Sequence, residues 1–173
     1  AYGSVYYVSS KAKFGTNPDG SKERPWRNMK DALEKINGAS PSNRAAILVS
    51  QGIYSGGTVK MKPNVDIFGG YSSGNWKREI FKNSTFLDGQ GKRRVVLGDN
   101  NCRIDGFVIT GGRSDWHGAG MLCNRTSPTI SNNVFIGNCP WAPEGFVHNP
   151  DRRRHVGNDG GAIACVDGAN PII

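Results

Sequence analysis

Three stretches of this 173-residue chain carry side chains able to do chemistry. The first, after Gly70, holds Trp76, Lys77 and Arg78. The second, after Gly112, holds Arg113, Asp115, Trp116 and His117. The third covers residues 139–158 and holds Trp141, His148, Arg152, Arg153, Arg154 and His155. Each combines a Trp with at least one Arg. An indole face stacks on the apolar face of a sugar ring, while a guanidinium makes paired hydrogen bonds to carboxylate or sulfate. Trp76, Arg78, Arg113, Trp116, His117, Trp141, Arg152, Arg153 and Arg154 are therefore the candidate binding residues, and an acidic sugar polymer is the ligand they suit. The competing reading is that the tryptophans pack their loops onto the body of the protein and the charges are solvated.

Such loops need a rigid body beneath them, and composition narrows what it is. Gly accounts for 24 residues and Asn for 16, and hydrophobic residues for 36%. Glycine costs a helix interior about 1 kcal/mol per position relative to Ala, which argues against a helical bundle. No stretch approaches the roughly 20 apolar residues that span a bilayer as a helix. Val, Ile, Leu and Phe nevertheless recur between the Gly and Asn clusters, which is unlike a disordered chain. The net charge of +8, from 22 Lys and Arg against 14 Asp and Glu, favours a polyanionic partner. With no basic helix and no nucleic-acid-binding motif, nucleic acid is not expected among them.

Local patterns give the elements. Tyr6, Tyr7 and Val8 mark a short strand near the start, and Ala45–Ser50 reads as a buried one. Between them, Trp26, Met29, Leu33 and Ile36 follow Pro25 at steps of 3, 4 and 3, the apolar stripe of a helix that stops at Asn37-Gly38. Further on, Arg103–Gly112 repeats in Thr129–Asn138 with a step of 26, which places Ile104 on Ile130 and Ile109 on Phe135. The same step puts Val95 on Met121 and Leu97 on Cys123, and a third copy at Gly160 puts Ile163 and Cys165 in those places. Val65–Gly70 reads as an earlier copy of Phe107–Gly112. In that register the three Trp/Arg loops lie along one edge. Asn133 points inward at a turn, so neighbouring backbone must satisfy its amide. Repeats of this length built of short strands predict a solenoid. The fold class expected is all-β: a right-handed single-stranded parallel β-helix with an N-terminal capping helix. Residues 1–50 would form the capping strand, helix and strand, and residues 51–173 the coils, within one domain.

The order YYVS, RPW…ALEKI, AAILVSQGIYSGG, NVDIFGGYS, STFLDG, IDGFVITGG, SPTISNNVFIGN resembles right-handed parallel β-helix proteins of the pectate-lyase-like superfamily. GGAI and FIGN also resemble repeats of polymorphic outer-membrane adhesins. The first resemblance implies a secreted, periplasmic or cell-surface protein with acidic polysaccharide as ligand, cleaved by a lyase in a full-length form. Lyases of that kind abstract a proton beside a carboxylate with Lys, Arg or His, often with Ca²⁺ neutralising the acid. His117 with Arg113 is then the candidate base and clamp. Asp66, Asp88, Asp99, Asp105 and Asp115 form no cluster in this register, so no metal ligands are assigned and Ca²⁺ stays an open possibility. The alternative function is a non-catalytic structural or adhesive surface protein whose β-helix serves as a spacer.

Two expectations remain. Cys123 and Cys165 would share an inward position on neighbouring strands, about 4.8 Å apart, an arrangement unfavourable for a disulfide. Both should be reduced and buried. Ile173 takes the place of Ile130, and nothing that would cap the core follows it. The chain is therefore expected to be the N-terminal part of a longer protein, with further coils or another chain covering that edge.

Overall fold

A computed structural model describes residues 1–13, 17–115, 117–140 and 161–173 of the chain. It begins with β1 (Ser4–Val8), α1 (Met29–Lys35), β2 (Ala45–Ser50), β3 (Gly52–Tyr54) and β4 (Val59–Lys60). Then come β5 (Val65–Tyr71), β6 (Thr85–Asp88), β7 (Val96–Leu97), β8 (Arg103–Asp105) and β9 (Val108–Thr110). The last are β10 (Arg113–Ser114), β11 (Met121–Asn124), β12 (Thr129–Ser131), β13 (Val134–Ile136), β14 (Cys139–Pro140) and β15 (Ile163–Val166).

These strands form three short parallel sheets. The first has the order β1-β2-β5-β8-β12, the second β13-β9-β6-β3 and the third β15-β11-β7-β4, while β10 and β14 make a small pair. This corrects the expected right-handed single-stranded parallel β-helix: the fold is a mostly-β parallel-sheet fold, with three separate sheets of five, four and four strands and one short helix among the described residues. The reason lies in the repeat. Along the first sheet, Ser4 pairs with Ala45, Ala45 with Val65, Asp66 with Arg103 and Arg103 with Thr129, offsets of 41, 20, 37 and 26. A step of 26 holds for the β8–β12 and β9–β13 pairs, and the earlier strands of the first sheet do not keep it.

Where the step does hold, the residue pairing follows. Ile104 lies beside Ile130 and Ile109 beside Phe135. The third sheet slips by one: Met121 pairs with Val96, not Val95, and Val96 in turn with Val59. Both valines are buried, so apolar pattern alone could not choose between them. The observed register brings a residue without a side chain to the Cys123 sulfur. Gly98 lies against Cys123, and a Cβ on that glycine would sit 3.0 Å from the Cys123 sulfur.

The N-terminal segment packs onto the same core. Trp26, Met29, Leu33 and Ile36 are all buried, as their spacing requires. The helix, however, starts at Met29 rather than Pro25. The Trp26 N–H donates to the Tyr7 carbonyl at 3.0 Å and its carbonyl accepts from Ser9 at 2.8 Å, so Trp26 is spent on the free edge of β1. Asn28 then caps the helix, its side-chain oxygen accepting from the Asp31 N–H at 2.8 Å.

Two asparagines clamp successive turns. Asn133 accepts from the Phe107 N–H and donates to the Ile104 carbonyl, each at 2.9 Å. Five residues on, Asn138 does the same to the Gly112 N–H at 2.9 Å and the Ile109 carbonyl at 2.8 Å. Asn133→Ala takes away the partner of the Phe107 N–H and the bridge from it to the Ile104 carbonyl. We expect a loss of about 1–3 kcal/mol, read as a lower midpoint in urea unfolding with an unchanged slope.

The cysteines divide. Cys123 and Cys165 are paired in register and neither is in a disulfide. Cys123 is buried, and burial with the neighbouring Cys165 pushes its thiol up to about 12. Cys165 is exposed, contrary to the expectation, because it lies on the outermost strand of its sheet.

Candidate anion-binding edge

The first two Trp/Arg loops do not share an edge. Trp76 and Arg78 lie in the connection from β5 in the first sheet to β6 in the second. Arg113 and His117 lie in the connection from β9 in the second sheet to β11 in the third. The two Gly-Gly turns look alike in sequence, but Ile67 pairs with Ile104, not with Ile109. Trp116, Trp141, Arg152, Arg153 and Arg154 fall outside the described residues, as do His148 and His155.

Arg78 is committed elsewhere. Its side chain, 32% exposed, pairs with the carboxylate of Asp105, 5% exposed, and its Nε donates to the Gly69 carbonyl at 2.9 Å. Asp105 also accepts from Ser131 at 2.7 Å and from Asn132. Asp66 is held similarly, by Arg44 at 2.5 Å and by the Tyr2 hydroxyl at 2.6 Å. Burial and that hydrogen bond push the Tyr2 phenol up to about 12. These are structural ion pairs, made across the face of the first sheet.

The edge between the second and third sheets has a different character. Lys92, Arg93 and Arg94 run through it without a break, a cluster with no Trp and so outside the Trp/Arg loops. On one side Arg93 lines a cleft of about 590 Å³ together with Lys30, Lys60 and Lys62, over an apolar floor of Leu33 and Met61. On the other, Lys92 and Arg94 line a cleft of about 310 Å³ with Arg113 and Asp115. Seven cations thus face two carboxylates, Glu34 and Asp115.

Hydrogen bonds fix this edge as a unit. Arg93 Nη1 donates to the Ser55 carbonyl at 2.8 Å, and the Arg93 carbonyl accepts from the Arg113 N–H at 2.9 Å. Arg94 donates to the Gly118 and His117 carbonyls at 2.9 and 2.7 Å and to the Ser114 hydroxyl at 2.7 Å. The Thr58 hydroxyl returns a bond to the Arg94 carbonyl at 2.8 Å. Among the described residues all the acceptors of the two guanidiniums are neutral, so there their charge is oriented but not cancelled. Burial draws the Arg94 pKa down from its ordinary value. Neutral donors could not substitute: a fixed, uncompensated positive charge is a binding feature for anions.

His117 contributes its carbonyl. Its Nδ1 is buried and has no hydrogen-bond partner among the described residues, so no partner there orients the ring as a base. Among the described residues no group of three or more His, Cys, Asp or Glu could hold a metal ion. No helix of the described residues is long and apolar enough to cross a membrane. Comparison with family models, with curated proteins and with solved structures found no match to this chain.

Proposed function

We propose that the protein is a surface or secreted module that binds acidic polysaccharide along the edge formed by Lys60, Lys62, Lys92, Arg93, Arg94 and Arg113. The observation carrying this reading is that Arg93 and Arg94 stand between two clefts with, among the described residues, only neutral oxygens as acceptors. A single compact anion would fill one cleft; a linear polyanion uses both and the run between them. The apolar floor of the larger cleft suits the carbon face of a sugar ring rather than a bare phosphate. Binding of this kind needs no catalytic base, and none is assigned. Lysine and arginine supply the attraction directly, and Ca²⁺ bridging is the variation to be tested.

The test is affinity for polygalacturonate against neutral dextran, with and without EDTA. Binding should be confined to the acidic polymer, persist in EDTA and weaken by at least about tenfold between about 0.05 and 0.5 M salt as charges are screened. Lys60 and Lys92 are exposed. Lys60→Glu with Lys92→Glu should weaken binding about tenfold or more while the melting temperature stays within a degree or two, since surface changes of this kind cost within about 0.5 kcal/mol. Equal affinity for dextran, or an unaffected double variant, overturns the reading. Loss of binding in EDTA would assign the attraction to Ca²⁺ instead.

A further inference from the structure

We propose that the cleft over Trp76 is a second, separate site for acidic sugar, so that one molecule holds two polysaccharide chains together; this rests on the edge binding proposed above. The Trp76 loop connects the first and second sheets, whereas the cationic edge connects the second and third. Strand β6, four residues or about 13 Å long, lies between them.

Trp76 is held in an unusual way. Its φ is 60°, in the left-handed region that a bulky L-residue rarely adopts. What keeps it there is on both sides of the ring and the chain. Its N–H donates to the Ser72 carbonyl at 3.1 Å, the Tyr7 ring meets the indole edge-on at 4.8 Å, and the Tyr71 ring lies at 6.4 Å. The indole is only half-buried, so its orientation is set before any ligand arrives.

Packing accounts for the contact with Tyr7. It does not account for what stands opposite. Trp76 lines a cleft of about 410 Å³ with Lys11, Lys22 and Arg24, against Glu23 as the only acidic lining residue among those described. Arg24 is paired with Asp19, but Lys11 and Lys22 are exposed and have no acid partner among the described residues. An aromatic surface facing two uncompensated ammonium groups matches a ring with an apolar face and a carboxylate or sulfate on its rim. The volume is within the range of sites for small ligands, roughly 300–1,000 Å³. With two such sites on different edges, a long acidic chain bound at one leaves the other open to a second chain. The consequence is cross-linking.

Digalacturonate is short enough to fill one site only. Calorimetric titration should give two equivalents per protein, falling to one in Trp76→Ala and to one in Lys60→Glu with Lys92→Glu. Lys11→Glu with Lys22→Glu, changes at two exposed residues, should match Trp76→Ala and decides the matter if the latter unfolds. With long polygalacturonate, light scattering should rise steeply near equimolar mixing for the parent and stay flat for either Trp76-cleft variant. One equivalent in the parent, lost in the edge variant and untouched by the Trp76-cleft variants, overturns the second site and leaves the edge reading intact. One equivalent lost only in the Trp76-cleft variants overturns both the edge reading and bridging. No uptake of digalacturonate or polymer by the parent overturns both.

Discussion

Asp105→Asn should destabilise the protein by about 3–5 kcal/mol, the largest effect expected of any conservative single change here. The carboxylate of Asp105 is nearly inaccessible and takes hydrogen bonds from Arg78, Ser131 and Asn132. An amide keeps the shape but leaves the Arg78 guanidinium part-buried over the Phe68 and Tyr71 rings, without its countercharge. Removing one member of such a pair costs more than the pair is worth, because the remaining charge stays desolvated. Arg78→Met leaves the more deeply buried Asp105 carboxylate with only Ser131, Asn132 and a more distant Arg103, so its cost should be of similar size. Denaturant unfolding of the three proteins measures both losses.

The same site sets an acid limit. Burial raises the Asp105 pKa, but hydrogen bonds from Ser131, Arg78 and Asn132 outweigh it and hold the group below its ordinary 3.8. A carboxyl depressed in the folded state adds stability above the unfolded value, about 3.9, and loses it as pH falls through the lower folded value. Stability should therefore drop below pH 4 in the parent. In Asp105→Asn this part of the drop should be absent, so the two unfolding curves converge in acid.

Some of this was legible from residue order alone. The step of 26 between Ile104 and Ile130 identified neighbours correctly because both lie between turns of equal length, and an inward Asn133 had to bond neighbouring backbone. The helical stripe identified four buried residues, although tertiary pairing of Trp26 with β1 shortened the helix. The failures have a common origin. A closed fold follows only if one repeat extends over connections that are in fact of unequal length. The two Gly-Gly turns both end β-rich runs, a likeness that puts Trp76 and Arg113 on one edge although the sheets separate them. Arg78 reads as a ligand residue because its partner, Asp105, is 27 residues away and nothing local announces the pair. The Lys92–Arg94 run was visible but unremarkable until the folded chain placed clefts on both sides of it.

Gly112→Ala should remove about 3 kcal/mol of stability and weaken polygalacturonate binding at the same time. Gly112 immediately precedes Arg113, and its N–H is the one held by Asn138. A Cβ there would lie 2.2 Å from the Ala119 carbonyl oxygen and 2.7 Å from the Asn138 side-chain oxygen. The first of these is backbone, so relief requires the connection from β9 to β11 to move, at the upper end of the cost of overpacking, 1–3 kcal/mol. That movement pulls on the Arg113 N–H bond to the Arg93 carbonyl and on the Gly118 and His117 carbonyls that hold Arg94. The cations of the edge would remain but lose their fixed spacing, and affinity should fall about tenfold or more without any change in net charge. Gly91→Ala is the matched comparison. Its φ of 65° carries a backbone cost, yet nothing lies within 4 Å of an added Cβ. It should lose about 1–2 kcal/mol and keep its affinity. If Gly112→Ala binds polygalacturonate as the parent does while unfolding more easily, the attraction comes from net charge alone and the ordered spacing of Arg93, Arg94 and Arg113 plays no part in it.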